Sequence, residues 1–322
     1  MEKALSQISG ALTGGETFLV AAHAGPDGDA IGSTLALGHL LTAMGKQVTL
    51  YNISGMPQQF AWLNPPIPLV TELPDGDFDW IIALDSGDKS RLGDDLAARF
   101  GTQGTINIDH HLGNPNYAQI NWVNPSYSSV GEMIAQLAID LGVPLSGDLG
   151  EAVYVALITD TGYFSYGNTR PETMELGAEI LRQGLNPVTF NAKLQNQWSV
   201  NRLKLWAMVF ETAELHFCDT VGLIRITDAM LKATGTNTAD TDGVVNYLRR
   251  VKGVRAALCL REDSPELTKI SLRSSGDVNV QVIAAELGGG GHKNAAGCVI
   301  QAPIDEAQGI LLEAAGRLLG CV

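Results

Sequence analysis

The chain has 322 residues, 45% of them hydrophobic and 17% charged, which suits two domains of ordinary size or one large one and excludes a disordered chain. Its 21 basic and 35 acidic side chains give a formal charge of −14, which on its face argues against a polyanionic partner. No apolar stretch reaches about eighteen residues, so no membrane-spanning helix is expected.

Residues 1–17 carry one lysine and no long apolar run, so no secretory leader is expected and a cytoplasmic protein is the default. Thr17–Ala22 is a short β-prone run that ends at His23 and a turn. Ala30–Met44 then places Ile31, Leu35, Leu37, Leu41 and Met44 at helical spacing, and Gly45 stops it. Gln47–Tyr51, Trp80–Leu84 and Thr105–Ile108 read as further strands. Strands separated by helices point to an α/β fold with a doubly wound parallel sheet. Ligands of such sheets gather at the carboxyl ends of the strands. The residues just past three of these strands are His23, Asp85 and Asp109-His110-His111.

Asn186-Pro187 interrupts this alternation. Val188–Leu215 reads as one long, mostly helical connecting segment. A second α/β unit follows, with a hairpin over His216–Ile226, a helix over Asp242–Val251 and strands over Val254–Arg261 and Lys269–Arg273. A helix over Val278–Leu287, closed by a run of four glycines and His292, precedes a last helix over Ile304–Leu319. The expected division is residues 1–187, a linker helix over 188–214, and a smaller domain over 215–322.

The acid is unevenly spread. Residues 1–190 hold 7 basic and 21 acidic side chains, whereas residues 191–322 hold 14 of each. The whole excess therefore belongs to the first part of the chain, which either needs carboxylates or presents an acidic surface. Cys218, Cys259, Cys298 and Cys321 include no C-x-x-C pair and read as packed or inert thiols.

His23-Ala-Gly-Pro-Asp27-Gly-Asp29 places one imidazole and two carboxylates in a turn set by Pro26 and Gly28. Alone, this is equally a turn in which Asp29 caps the following helix. Three more clusters shift the balance: Leu84-Asp85-Ser86, Asn107-Ile-Asp109-His110-His111, and Ile158-Thr-Asp160-Thr161, which edges the apolar run Val153–Ile158. Imidazole with several carboxylates and no thiolate suits Mn²⁺ or Mg²⁺. Such a set can fill two neighbouring sites, and ions roughly 3.5–4 Å apart clamp the attacking and leaving oxygens of a phosphoester.

At these residues the sequence resembles the DHH phosphoesterases. Residues 23–33 match H-x-x-P-D-x-D-A-x-G-S, and Asn107–Asn114 match N-I-D-H-H-x-x-N. Asp85, with Arg91-Leu-Gly downstream, matches the second motif, and Asp160 matches T-D-T-G-x-F. Gly288-Gly289-Gly290-Gly291-His292 with Ala295-Ala296-Gly297 is similar to the signature of the associated DHHA1 domain. The arrangement resembles the compact two-domain group that includes nanoRNase/pAp phosphatases. RecJ exonucleases are longer, and family II pyrophosphatases lack the glycine run. Arg170 departs from the resemblance, standing where relatives commonly carry a small hydroxyl residue, at what reads as the rim of the site.

The resemblance implies roles. One ion would sit on His23, Asp27 and Asp85; the other on Asp29, Asp85, His110 and Asp160, with Asp85 bridging. Asp109 would orient a neighbouring histidine, and His111 would contact the phosphate or assist the leaving oxygen. Asp109 also reads as purely structural. In the second domain, four glycines permit close approach of N–H groups to an anion, and the resemblance places Arg273 and His292, with Gly289, Gly290 and Gly291, at the substrate. Arg249, Arg250, Lys252, Arg255, Arg261 and Lys269 add a basic stretch, which equally reads as a solvated face near Arg249–Arg255. Tyr163, Phe164 and Tyr166 could stack on a base or simply pack.

The implied enzyme uses two divalent ions, Mn²⁺ with Mg²⁺ as the other candidate. Its substrates are short RNA, linear dinucleotides or 3′-phosphoadenosine 5′-phosphate (pAp), presented in a cleft between the lobes. A long nucleic-acid complex and a membrane partner are not expected, and a homodimer is left open. Two other readings stand beside it: an inorganic pyro- or polyphosphate hydrolase, and a nucleotide sensor without catalysis.

Overall fold

A computed structural model describes residues 2–196 and 198–319, with the side chains of Glu2, His292, Leu318 and Leu319 outside that description, as is Cys321. The chain divides into two units, Met1–Gln197 and Trp198–Val322. No helix among the described residues is long and apolar enough to cross a membrane.

The first unit opens with α1 (Glu2–Gly14), β1 (Thr17–Ala22), α2 (Gly28–Ala43), β2 (Gln47–Tyr51), β3 (Leu69–Val70) and β4 (Trp80–Leu84). It continues with α3 (Asp94–Arg99), β5 (Thr105–Asp109), β6 (Ile120–Val123), α4 (Val130–Asp140), α5 (Gly147–Asp160), α6 (Pro171–Arg182) and α7 (Pro187–Gln195). The six strands form one parallel sheet in the order β3-β2-β1-β4-β5-β6. This is the doubly wound topology expected from the alternation. Its order reverses between β1 and β4, so the crevice that collects ligands lies at the carboxyl ends of those two strands.

Both faces of the sheet are covered, which is why its strands are apolar without alternation. Phe18, Val20 and Ala22 of β1 join the larger core with α1, α2, α4 and α5. Leu19 and Ala21 point the other way, to a smaller core with Leu92, Leu96 and Phe100. Helix α2 is buried along most of its length. Glycine makes its close packing feasible: a Cβ on Gly32 would stand 2.5 Å from the Ala152 carbonyl oxygen of α5, and one on Gly28 would meet the Thr159 side chain at 2.3 Å. That approach brings the start of α2 to the end of α5.

The second unit contains α8 (Val200–Glu211), β7 (Glu214–His216), β8 (Val221–Ile226), α9 (Asp228–Thr234), α10 (Val245–Leu248), β9 (Ala256–Ser264) and β10 (Leu267–Ser274). Then come α11 (Gln281–Glu286), β11 (Gly290–His292), β12 (Ala295–Ile300) and α12 (Ile304–Leu319). Its mixed sheet runs β11-β12-β10-β9-β8-β7, with only β8 and β9 parallel. Apolar cores cover both of its faces.

Three expectations need correction. Val188–Leu215 is not one helix: α7 and α8 are separate, and Ser199 caps α8 by accepting from the Arg202 N–H at 3.0 Å. The two helices serve different cores, Phe190 that of the first unit and Leu205, Trp206 and Val209 that of the second. The helix over Asp242–Val251 shrinks to the single turn of α10, whose start is delayed by Gly243 at φ +86°. The glycine run is no simple helix stop either. Gly288, at φ +77°, ends α11, but Gly290–His292 continue as an edge strand on β12. Strand β6 has no counterpart in the sequence-based reading.

Candidate metal centre

Four segments of the first unit converge at the carboxyl end of the sheet. His23 follows β1, and Ala22 at the end of that strand pairs with Leu84 of β4. Asp85 therefore emerges beside His23, with its Oδ2 3.7 Å from His23 Nε2. Leu84 also pairs with Ile108 of β5, which sets Asp109 and His110 on the other side of Asp85. Asp160 arrives differently. It is the last residue of α5, a helix, and not the end of a strand.

Asp27, not Asp29, caps α2: its Oδ1 accepts from the Asp29 and Ala30 N–H groups, each at 3.1 Å. Asp27 Oδ1 is also 3.9 Å from His23 Nε2, so the cap and the cluster share one carboxylate. Asp29 is buried and reaches across to the N-terminus of α4, accepting from the Val130 N–H at 2.7 Å and the Gly131 N–H at 2.9 Å. The positive end of that helix favours the charge. His110 Nε2 faces three carboxylates, standing 3.7 Å from Asp29 Oδ2, 3.6 Å from Asp85 Oδ1 and 3.6 Å from Asp160 Oδ2. Its Nδ1 is 3.2 Å from the Tyr127 carbonyl oxygen, which orients the ring.

Three groups result whose donor atoms lie within 4.8 Å of one another and could hold a divalent ion: His23 with Asp27 and Asp85, Asp29 with His110 and Asp160, and Asp85 with His110 and His111. Asp85 offers one oxygen to each side, Oδ2 towards His23 and Oδ1 towards His110. Among the described residues Asp85 Oδ1 is buried with no hydrogen-bond partner. Such an atom is costly without a positive neighbour. Burial pushes the Asp85 and Asp29 carboxyls well above the usual range, and the neighbouring carboxylates push them further. Burial also raises Asp160. It lowers His23, which favours the neutral ring that a metal requires. Clustered carboxylates, neutral imidazole and an orphaned oxygen fit a divalent cation.

Asp109 stands apart from these groups. It is fully buried; its Oδ1 meets His111 Nδ1 at 2.8 Å and its Oδ2 accepts from Asn114 Nδ2 at 2.6 Å. Burial alone would raise this carboxyl, but the hydrogen bonds from His111 and Asn114 outweigh it and hold it below the usual range. The bond to Asp109 in turn raises His111, against the opposing effect of burial. Asp109 and His111 thus form a hydrogen-bonded acid–imidazole pair beside Asp85.

Several residues that build the site were not singled out from the sequence. The N–H groups of Val130 and Gly131 and the carbonyl of Tyr127 leave no trace in residue type. Ser129-x-x-Glu132 does carry a helix-start signal, and Ser129 Oγ accepts from the Glu132 N–H at 3.1 Å. Phe164 packs edge-on against Tyr154, whereas Tyr163 and Tyr166 are about half exposed. Arg170 is not merely a rim residue: its guanidinium pairs with buried Glu132 and lies 5.3 Å from the centre of the Tyr127 ring.

In the second unit, the glycine run has a structural explanation. A Cβ on Gly289 would stand 2.2 Å from the Gly297 carbonyl oxygen, and one on Gly291 2.6 Å from Ala295 O of β12. The Gly288 and Gly289 N–H groups donate to Ala285 and Ala284 at the end of α11, so two of the four expected anion donors are already used. The His292 side chain lies outside the described residues. Arg273, on β10, donates to the Leu272 carbonyl at 2.9 Å. With Arg261, Lys269 and Ser271 it lines a cavity of about 80 Å³ on one face of the sheet. Cys259 and Cys298 are buried, their thiols pushed up to about 12 and about 11, while Cys218 is exposed.

Residues 17–157 match the DHH family, N-terminal domain, and residues 226–319 match the DHHA1 domain. The bifunctional oligoribonuclease and PAP phosphatase NrnA of Thermus thermophilus is 34% identical over 299 residues, spanning 92% of this chain and 88% of that protein. The chain belongs to the DHH family. The Bacillus subtilis protein of the same name is 27% identical over 304 residues, covering 92% of this chain and 93% of its own. Among solved structures, an exopolyphosphatase-related protein from Bacteroides fragilis aligns with a TM-score of 0.91 and 27% identity, covering 98% of this chain and 96% of that one. The DHH domain therefore carries the whole cluster from His23 to Asp109-His110-His111, and Asp160 lies just past the matched span.

Proposed function

We propose that this chain is a metal-dependent phosphohydrolase. It cleaves short oligoribonucleotides or linear dinucleotides to mononucleotides and removes phosphate from pAp. The observation that carries the reading is the set of donor groups gathered on either side of Asp85, in a chain 34% identical over 299 residues to a bifunctional oligoribonuclease and PAP phosphatase. His23, Asp27 and Asp85 would hold one divalent ion; Asp29, Asp85, His110 and Asp160 would hold the other. The donor set, without thiolate, favours Mn²⁺ or Mg²⁺.

Bound there, two such ions would polarise the phosphoryl oxygens and make water acidic enough to attack near neutral pH. The chain's own groups do the rest. Asp85 keeps the two halves of the centre in register through its two oxygens. His110 is oriented by the Tyr127 carbonyl. His111 directs Nδ1 to Asp109, so Nε2 is the ring atom that meets the phosphate or the leaving oxygen. The Asp109 carboxylate raises His111 and so favours the protonated ring that a proton donor needs. In the DHHA1 domain, Arg273 and the Gly289–His292 segment would contribute to substrate binding, Arg273 as a charge-assisted donor to a phosphate.

A second reading, hydrolysis of inorganic polyphosphate, is favoured by one observation, the likeness to the exopolyphosphatase-related Bacteroides protein. One panel tests both. The purified chain with Mn²⁺ is given pAp, linear dinucleotides, RNA 5-mers, cyclic dinucleotides, pyrophosphate and polyphosphate, and mononucleotide and phosphate release are measured. Turnover of pAp or short RNA well above polyphosphate supports the nucleotidase. The reverse order overturns it.

A further inference from the structure

Glu132 and Arg170 play no part in the ligand set, yet they join every segment that brings the Asp29, His110 and Asp160 group together. Glu132 sits in the first turn of α4, with its side chain 6% exposed. Its Oε1 accepts from Arg170 Nη2. Its Oε2 accepts from the Ser128 N–H at 2.9 Å, Ser128 Oγ at 2.7 Å and Thr173 Oγ1 at 3.2 Å. One carboxylate thus binds the loop before α4 and the first turn of α6 at once.

Each bound segment leads directly to a member of the group. Tyr127, under the Arg170 guanidinium, offers its carbonyl to His110 Nδ1. Ser128 and Ser129 precede Val130 and Gly131, whose N–H groups hold Asp29. The Ser128 carbonyl accepts from Asn168 Nδ2 at 3.0 Å, and the same amide donates to the Asp160 carbonyl at 3.1 Å. Asn168 stands two residues before Arg170. The ion pair closes a ring of contacts around the three side chains without touching any of them. Among the described residues, neither His23 nor Asp27 shares a hydrogen bond or ion pair with Glu132 or Arg170.

We propose that the Glu132–Arg170 pair is a positioning device that holds Asp29, His110 and Asp160 at the spacing one divalent ion requires. This rests on the two-ion reading of the proposed function. A buried ion pair is weak evidence for stability, since well-packed apolar replacements are often as stable. Geometry is what this pair adds, and partners outside the ligand set typically alter metal affinity about 10- to 100-fold.

The test is Mn²⁺ titration calorimetry on the metal-stripped full chain, with melting temperature measured alongside. Wild type is expected to take up two ions. Glu132→Gln and Arg170→Met are expected to weaken one of them at least about tenfold and leave the other unchanged. Arg170→Lys keeps the charge and is expected to recover part of the loss, which covers the case in which a harsher variant fails to fold. Unchanged affinity for both ions in well-folded Arg170→Met overturns the proposal. So does equal weakening of both ions together with a lower melting temperature, which is general destabilisation. Both results leave the two-ion reading standing. A wild-type chain that binds fewer than two ions sinks that reading, and this inference with it.

Discussion

At Asp85 the backbone turns into the left-handed region, at φ +51°, in a residue that is neither glycine nor exposed. Strain of this kind persists where the surroundings enforce it and clusters at functional sites. Here it lets one carboxylate face His23 with one oxygen and His110 with the other. Asp85→Asn keeps the size and removes the charge from both sides. It should lower Mn²⁺-dependent turnover by more than about a hundredfold, the upper end for partners outside the ligand set. Steady-state hydrolysis by purified, folded mutant checks this, and turnover like wild type would refute the shared role. Asp109→Asn tests the next residue out. Asp109 is the acceptor that raises His111, so its loss lowers the His111 pKa. If protonated His111 is the active form, activity is kept below its pKa and lost as pH rises through it. The alkaline limb of the pH–rate profile should then move to lower pH, and a limb that stays put would disprove the donor role.

Helices α2 and α5 set how closely Asp29 and Asp160 approach one another. Gly32→Ala removes the conformational cost of a helical glycine, worth roughly 1 kcal/mol in open space. Its new Cβ, however, would stand 2.5 Å from a backbone oxygen of α5, which cannot rotate away. Overpacking of that kind costs about 1–3 kcal/mol, so the variant should be less stable in urea and bind Mn²⁺ more weakly. Gly10→Ala in α1 and Gly309→Ala in α12 have nothing within 4 Å of the new atom and should stabilise by about 0.4–1 kcal/mol. Equal stability changes at all three positions would show that the close approach is unimportant. The strands that present the site are legible because each is an apolar run ending abruptly in a polar cluster. Asp160 is legible as a residue type but not as a helix end, since the short apolar run before it suits either period. The break between α7 and α8 is hidden because helical spacing continues across it while the buried face changes partner. Strand β11 is hidden because glycine erases the side-chain alternation by which a strand is read. The N–H groups that grip Asp29 come from a helix 101 residues away, a pairing that only the folded sheet supplies.

Across the whole molecule the charge divides as the chain does. The first unit holds 8 basic and 21 acidic side chains, the second 13 and 14. Part of that acid is the centre itself, where Asp27, Asp29, Asp85 and Asp160 gather. Two divalent ions would bring the formal total from −14 to about −10, with the added charge concentrated at the proposed reaction centre. The remaining acid repels a long polyanion more than a short one, because a long strand sets more phosphates within a screening length. Turnover, as kcat/KM, should therefore be higher on a dinucleotide than on long single-stranded RNA at low salt. Raising ionic strength from about 0.1 M to about 1 M shortens that length from about 10 Å to about 3 Å. The preference should narrow accordingly, even as both substrates bind more weakly. Equal turnover on long and short RNA at low salt would count against a role for the acidic unit in substrate length. A preference untouched by salt would assign length selection to shape instead of charge.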